Sequence, residues 1–558
     1  MKNYIPEFVN TWRNYSHALF VKDLMAGIIV GIVALPLAIA FGIASGVTPE
    51  QGLITAVIAG FICAVLGGSK TQVSGPTGAF IVIVYGIVQQ FGVEGLAIAT
   101  FLAGIMLVLM GVFKIGTMIR FIPYPIIIGF TSGIALTIFT TQIKDLLGLN
   151  MGAVPADFLS KWVEYAKNIH TVDLWSFAVG VGSVLVIVFT SKITSKIPGS
   201  LVAIVLMTVV VYILKTQFGI TSIETIGDRF EINASLPQPQ KLGVTLDKIS
   251  ILFSAAFTIA ILGAIESLLS ATVADGVTGD RHNSNTELIG QGIANIVVPF
   301  FGGIPATGAI ARTMTNINNG GKTPVAAIIH SIVLLLILLF LGNLSKHIPM
   351  ACLAGVLVIV SYNMSEWRTF RGLLQSPKSD VAVLLTTFFL TVVLDLTIAI
   401  EIGLLLAVVM FIRRVSKSVN ISVFTDELDH STEIDSSSNA KISIPKGVEV
   451  YEIDGPFFFG IATKFDEQMK IVGDKPKVRI IRMRKVPFID STGLHNLEIL
   501  CKNSQKEKIR IVLSGVNGQV RQTLEKSGLA TLIGDEYICD NITQAIEKSD
   551  EIVHKLKK

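Results

Sequence analysis

The sequence predicts a polytopic α-helical membrane domain followed by a small α/β domain, and three observations carry that prediction. The chain of 558 residues is 51% apolar and only 15% charged, where soluble proteins are about a quarter charged. From about Asp23 to Arg414 apolar runs recur at roughly 20 residues each, the length that crosses hydrocarbon as a helix. Beyond Lys417 the runs stop, and short strand-like and helix-like stretches alternate instead.

Taken in order, residues 1–22 form an N-terminal tail and residues 23–415 the transmembrane domain. IIVGIVALPLAIAFGIA (28–44), LITAVIAGFICAVL (53–66), LAIATFLAGIMLVLMGVF (96–113) and AAIIHSIVLLLILLFL (326–341) are representative spans. About fourteen fit, several lying too close together to separate. The net charge of +4 is informative by position. Lys2, Arg13 and Lys22 precede the first span, and Arg413, Arg414 and Lys417 follow the last. An even number of spans puts both ends on one side, cytoplasmic by the excess of Lys and Arg there. Lys70, Lys114 with Arg120, Lys192 with Lys196, Arg281, Lys322, and Arg368 with Arg371 fall on that same side. The facing short loops SGVTPE (45–50) and QQFGVE (89–94) contain neither Lys nor Arg. The first apolar segment is long and followed by many more, which is not the pattern of a secretory signal.

Residues 416–440 read as a linker: from 421 to 440 it has no Lys or Arg and many Asp, Glu and Ser, as a solvated connection does. Residues 441–558 are the α/β domain. The four cysteines, Cys63, Cys352, Cys501 and Cys539, show no metal-ligand spacing and read as small buried hydrophobes.

The functional signal is where the spans break. VSGPTG (73–78) sits between AVLGG and AFIVIV, and a Gly-Pro pair interrupts a helix because Pro lacks an N–H and Gly loosens the backbone. Broken backbone at membrane depth is tolerated where it lines a cavity, and carriers use it to aim half-helix N-termini at anions. Ser74 is expected to cap, Pro76 to occupy the first turn, and a half-helix of roughly 15 residues to follow, too short to span. A second break has the same order of parts: LGG (66–68) before the first, FGG (301–303) before IPATGAIARTMTNINNG (304–320). IPYPIIIGF (122–130) echoes IPMACLAGV (348–356), and Ala26 precedes Pro36 by the spacing that separates Ala256 from Glu266. Paired interrupted segments at corresponding positions point to an inverted-repeat transporter and its binding site. The first repeat runs about 23–215 and the second about 248–415.

Two charges sharpen the site. Glu266 falls in the middle of ILFSAAFTIAILGAIESLLSATVA (251–274), where a lone carboxylate costs several kcal/mol. Burial favours its protonated form, which suits proton coupling, while a structural hydrogen bond is the alternative. Arg312, in AIARTM, either faces the anion or snorkels to the surface. Asp395 and Glu401 flank the last turn and read as interfacial. GGKT (320–323) resembles a phosphate loop but has Asn316 where that motif needs Gly, which argues against a nucleotide site and ATP-driven transport. With no Ser/His/Asp pattern or HExxH, the chain reads as a transporter and not an enzyme.

SGPTG (74–78), LGAIESLLSATVADGVTGDRHNSNTELIGQGIAN (262–295), the GGI…AR…GGKT run (302–323) and the α/β tail together resemble the SulP (sulfate permease) family of anion transporters, over nearly the whole chain. The resemblance implies seven-plus-seven inverted repeats with two half-helices, a core and a gate domain, a C-terminal STAS domain at 441–558, a homodimer in the bacterial inner membrane, and elevator-like motion. GAIESLL (263–269), AIAR (309–312), VQQFG (88–92) and NMSE (363–366) look most like bacterial C4-dicarboxylate carriers. The expected function is therefore proton-coupled symport of a fumarate- or succinate-type dicarboxylate, with sulfate or bicarbonate transport, sodium coupling, or an uncoupled exchanger or channel as alternatives. A sensor with the STAS domain as its output is a further class. Sodium-coupled bicarbonate carriers of the family have Asp where this chain has Glu266, a departure that favours protons as coupling ion, with no other cofactor and no metal.

Carried over by position, the resemblance puts the anion among Gly75, Pro76, Thr77 and Gly78 at the first half-helix and Ala309, Ile310, Ala311 and Arg312 at the second. Leu37 and Phe41 would line the pocket, although many animal members have Gln at the position of Leu37. IDSTG (489–493) resembles the phosphorylated turn of stand-alone STAS proteins, so Ser491 is either a switch or a plain helix N-cap. The expected partners are a small anion, the bilayer, a second copy of the chain and a cytoplasmic protein through the STAS domain, but no nucleic acid.

Overall fold

The computed structural model describes residues 4–12, 15–117, 122–152, 154–155, 157–193, 198–231, 237–394, 396–428, 442–459 and 476–555. Lys2, Arg13, Arg120, Lys196, Asp395 and most of the acidic linker lie outside them. The chain divides after Ala407 into two units, each compact in itself.

The first unit is helical. After α1 (Glu7–Trp12), α2 (His17–Ala44) starts at Ser16, whose hydroxyl accepts from the Leu19 amide. α3 (Pro49–Leu66) opens on a reciprocal pair of bonds between Thr48 and Gln51 with Pro49 in its first turn, and stops at Gly67, the arrangement that satisfies orphan amides at a helix start. The strand β1 (Ser74–Gly75) leads into α4 (Gly78–Val112), which Gly92, at φ 69° and ψ −179°, divides into residues 78–91 and 93–112. The half-helix expected from the sequence is there, 14 residues long by that division. α5 (Tyr124–Thr141), α6 (Ile143–Leu147), α7 (Phe158–Asn168), α8 (Leu174–Ile193) and α9 (Gly199–Phe218) follow.

The second half contains α10 (Ile226–Arg229), α11 (Leu246–Thr278), α12 (Ser284–Val297), the strand β2 (Thr307–Gly308) and α13 (Ile310–Asn318). It ends with α14 (Pro324–Leu341), α15 (Met350–Met364), α16 (Trp367–Leu373), α17 (Lys378–Val393) and α18 (Leu396–Ser418). Among the described residues eight helices are long and apolar enough to cross a membrane alone. Counting α4 as two, seven segments (α2, α3, both parts of α4, α5, α8, α9) precede Gly219, and seven (α11–α15, α17, α18) follow Thr245. They sort into two bundles: α2, α3, α4, α11, α12 and α14 pack together, and α5, α8, α9, α15 and α17 form the other.

Two local expectations fail. Ser74 does not cap the first half-helix; it lies in β1, and Thr77 holds the N-cap position without a side-chain capping bond. Pro76 precedes the helix instead of starting it, because residues 74 and 75 are drawn out to pair with β2. The GGKT look-alike holds a carboxylate of its own chain: Asp23 accepts from the Lys322 amide at 2.9 Å, the Thr323 amide at 3.2 Å and the Thr323 hydroxyl at 2.5 Å. Glu401 is exposed, and all four cysteines are buried and unpaired.

The second unit is an α/β domain. β3 (Asn420–Phe424) runs antiparallel to β6 (Val448–Asp454), while β4 (Glu427–Leu428) and β5 (Ile442–Ser443) make a separate ribbon. β7 (Val478–Lys485), β8 (Arg510–Ser514) and β9 (Ile538–Cys539) extend the sheet in parallel, in the order β3-β6-β7-β8-β9. Alternation along the strands feeds two cores. Ile453, Ile481 and Leu513 meet Leu497 and Leu524 on one face, and Val450, Ile480 and Val512 meet Ile546 on the other.

Candidate anion site at the crossed half-helices

The two breaks meet. β1 and β2 pair antiparallel with Ser74 opposite Gly308 and Gly75 opposite Thr307, and the Ala309 amide donates to the Val73 carbonyl at 3.0 Å. α4 starts directly after the first strand and α13 directly after the second, so two helix N-termini leave one short ribbon. Their first-turn N–H groups have no intrahelical acceptor, and each end carries about half a positive charge.

A ladder on α12 holds the ribbon. Glu287, Gln291 and Asn295 recur every four residues and are all buried, hence on one face. Glu287 accepts from the Gly68 and Ser69 amides at 2.8 and 3.1 Å and from the Gln72 side chain at 2.8 Å. Gln291 accepts from the Ser74 hydroxyl at 3.2 Å and donates to the Ala306 carbonyl at 2.8 Å. Asn295 donates to that carbonyl and accepts from the Ala306 amide, both at 2.9 Å. One helix therefore fixes both crossings. Reading the sequence missed this role, although polar residues every fourth position in LIGQGIANIV were a visible signal.

Arg312 is 1% exposed, which rules out snorkelling. Its guanidinium donates to the Pro76 carbonyl and, at 3.4 Å, to the Ser74 carbonyl. A Cβ on Gly75 would lie 2.2 Å from Nη1 of Arg312, and Gly75 has φ +155°, so only glycine fits beneath the guanidinium. Arg312 makes no ion pair with a described residue. Thr77, at the first N-cap, is 9% exposed, and its hydroxyl has no partner among the described residues.

The other expected residues are less uniform. Gly78 faces the Phe41 ring, Ile138 and the Met364 sulfur, all within 3.8 Å of where its Cβ would be; α5 and α15 of the second bundle thus cover the first half-helix. Leu37 is half-buried and Phe41 buried. Ala309 is buried and Ile310 half-buried, but Ala311 is exposed.

Glu266 is 8% exposed on α11 and has no hydrogen-bond or ion-pair partner among the described residues; Glu366, at the start of α16, is the charge that acts on it through space. Its neighbour Ser267 bonds the Thr307 hydroxyl at 2.7 Å and accepts from the Gly308 amide at 3.1 Å. One turn earlier Gly263 faces the Phe80 ring of the first half-helix. The carboxyl therefore stands beside both crossings. At the inner end expected from the loop charges, Lys70 pairs with Asp280 at 2.6 Å, and that hydrogen bond raises the Lys70 pKa above its ordinary value.

In the second unit Ser491 is exposed at the first position of the helix Ser491–Lys506. The cap is Asp490, which accepts from the Gly493 amide at 2.7 Å and the Phe459 amide at 3.1 Å. The plain N-cap reading of Ser491 is thereby corrected, and its hydroxyl is free of that duty.

Residues 20–387 match the model of the sulfate permease family and residues 439–547 that of the STAS domain. A protein of Bacillus subtilis named "Putative sulfate transporter YvdB" is 42% identical over 96% of this chain and 98% of its own. The bicarbonate transporter BicA of a Picosynechococcus strain is 31% identical over 90% of each. The solved transmembrane domain of a cyanobacterial BicA, also 31% identical, superposes with a TM-score of 0.62 over 70% of this chain and 98% of that one. A murine solute carrier 26 family member A9 structure shares the fold at a TM-score of 0.88 and 19% identity, over 98% of this chain and 94% of that one. These relatives are named for sulfate and bicarbonate, so the expected likeness to dicarboxylate carriers is not what they display. A broken-helix membrane domain and an α/β tail, each matching its model in this order, make the chain a member of the sulfate permease family of anion transporters, with a C-terminal STAS domain.

Proposed function

We propose that the chain is a secondary active carrier of a small inorganic oxyanion, of the sulfate or bicarbonate class, coupled to protons through Glu266. The observation that carries the reading is Arg312, a buried cation with no acid partner among the described residues, at two helix N-termini beside the Thr77 hydroxyl, which is likewise unpartnered among them. A buried charge needs a counter-charge, and here the arriving anion supplies it. Arg312 and two half-charges from the helix ends sum to about two positive charges, enough for a monoanion or a dianion. The names of the relatives favour the inorganic oxyanions over a dicarboxylate.

Among the described residues Glu266 has no partner to hold its charge, so a proton neutralises it when the anion loads beside it. The bundle holding the half-helices would slide against the bundle of α5, α8, α9, α15 and α17, carrying anion and proton together. A homodimer in the inner membrane, with both termini cytoplasmic and the STAS domain adjusting rate or delivery through its own contacts or at Ser491, completes the reading.

Counterflow of labelled sulfate, bicarbonate, fumarate and succinate in proteoliposomes tests the substrate; exchange restricted to the dicarboxylates overturns the oxyanion assignment. Uptake against a gradient with an imposed pH difference tests the coupling. Glu266→Gln should still exchange anion but no longer concentrate it. Wild type that responds only to sodium, or a Gln variant that still accumulates substrate, would sink the proton assignment to Glu266.

A further inference from the structure

Behind Arg312 lies a second titratable group that the transport reading does not use. His330, in α14, is 0% exposed, and neither ring nitrogen has a hydrogen-bond partner among the described residues. A neutral imidazole always presents one donor and one acceptor, and leaving both unmet in a dry interior is costly. Such an orphan calls for a role or an occupant. The Ala327 carbonyl, one turn back, faces the ring without reaching hydrogen-bond geometry, and it already accepts from the Ser331 hydroxyl at 3.1 Å.

The ring sits against the anion site from behind. Its Cε1 lies 3.5 Å from where a Cβ of Gly60 would be, and the Ser74 carbonyl lies 3.3 Å from the same point. That carbonyl accepts from Arg312. Of the charged and titratable groups on the elements packed around α14, α1 offers Glu7, α2 offers His17, Lys22 and Asp23, and α3 offers Glu50 and Cys63. The turn after α14 offers Lys346 and His347. Asp23 is committed to the first turn of α14, and the charge that acts on His330 is that of Arg312.

We propose that His330 is a second proton-binding site, filled when an anion occupies the site in front of Arg312. The lone pair of the unprotonated ring nitrogen takes the proton while the other nitrogen keeps its N–H. Burial opposes the imidazolium first, and the neighbouring Arg312 cation repels it further, so it forms only when the anion adds a negative charge close by. By reciprocity the proton then tightens the anion by the same factor. This rests on the anion reading above, and it makes two protons, one on Glu266 and one on His330, available to each loaded anion.

Proton uptake on adding sulfate is measured in weakly buffered solution with the purified full-length protein, together with sulfate affinity between pH 5.5 and 8.5. Glu266→Gln should still take up protons and bind sulfate up to about tenfold tighter per unit of acidification, the limit for one linked proton. Adding His330→Gln to that background should leave neither effect. If wild type takes up protons and Glu266→Gln takes up none, the His330 proposal falls while the Glu266 assignment stands. If wild type takes up none, both fall. A ligand-free check uses labelled histidine and NMR, with the His330 signal assigned by its loss in His330→Gln. Without sulfate the wild-type ring should stay neutral, and Arg312→Gln should move its protonation to higher pH, because burial first and Arg312 second oppose its charge; a ring already charged without sulfate, or one that Arg312→Gln does not shift, overturns the proposal.

Discussion

The two crossings carry the same triplet, Thr-Gly-Ala, and use it differently. At the first, Thr77 is the N-cap and the helix starts on Gly78; at the second, Thr307 and Gly308 are still strand, and the helix starts two residues later, on Ile310. The consequences follow for each hydroxyl. Thr77 is buried with no partner among the described residues, whereas Thr307 is fully used, donating to the Gly263 carbonyl at 3.1 Å and meeting the Ser267 hydroxyl at 2.7 Å. The second crossing supplies the charge, Arg312, and is anchored; the first supplies open donors and receives the guanidinium. A pair of repeats that look alike in sequence has divided the work of one site.

The largest expected effect breaks the contact through which the two crossings touch. Gly75→Ala sets a methyl 2.2 Å from the Arg312 guanidinium at φ +155°, and neither the buried cation nor the paired backbone can retreat. We expect a cost above about 3 kcal/mol, seen as loss of the folded protein or of sulfate binding. Gly308→Ala, on the second crossing, meets the Gln72 amide at 2.2 Å. That group is the end of a flexible side chain, so the cost should be about 1–2 kcal/mol, mostly the lost bond to Glu287. Equal losses in melting temperature would show that the crossings are not asymmetric in this sense.

Next in size is the charge. Arg312→Ala should weaken anion binding by about 1–3 kcal/mol, roughly 5- to 150-fold, and Arg312→Lys should recover part of it, since a point charge remains but the fork to two carbonyls is lost. A lowered melting temperature with unchanged affinity in both variants would make Arg312 a strut and not a binding group.

Much of this arrangement was legible from the chain, for identifiable reasons. Uninterrupted apolar runs and the breakers between them are local signals, so the helices, the half-helix at 78–91 and the pairing of two breaks could be read directly. The start of that half-helix could not. Ser74 and Pro76 have the chemistry of a helix start, but residues 74 and 75 are held extended by pairing with residues 307 and 308, more than two hundred positions away. The ladder of Glu287, Gln291 and Asn295 was printed at a four-residue spacing, yet its meaning depends on α12 facing the ribbon, a tertiary fact. Arg312 was visible as a charge among apolar neighbours, but its direction was not, because snorkelling and burial start from the same sequence.

The smallest expected effect separates the two threonines, and it is the sharpest form of the comparison. Thr77→Val removes a hydroxyl that bonds no described residue, so melting temperature should hold or rise slightly as a buried polar atom is deleted. If the hydroxyl donates to the bound anion, affinity should fall by about 1 kcal/mol, roughly fivefold. Thr307→Val deletes a hydroxyl with two partners, on Gly263 and Ser267, and leaves the Ser267 hydroxyl without an acceptor. It should lower stability by about 1–3 kcal/mol with affinity unchanged in the folded fraction. The measurement is a melting curve and a sulfate titration on each variant. Thr77→Val that loses stability, or Thr307→Val that loses affinity alone, would reverse the roles assigned to the two crossings.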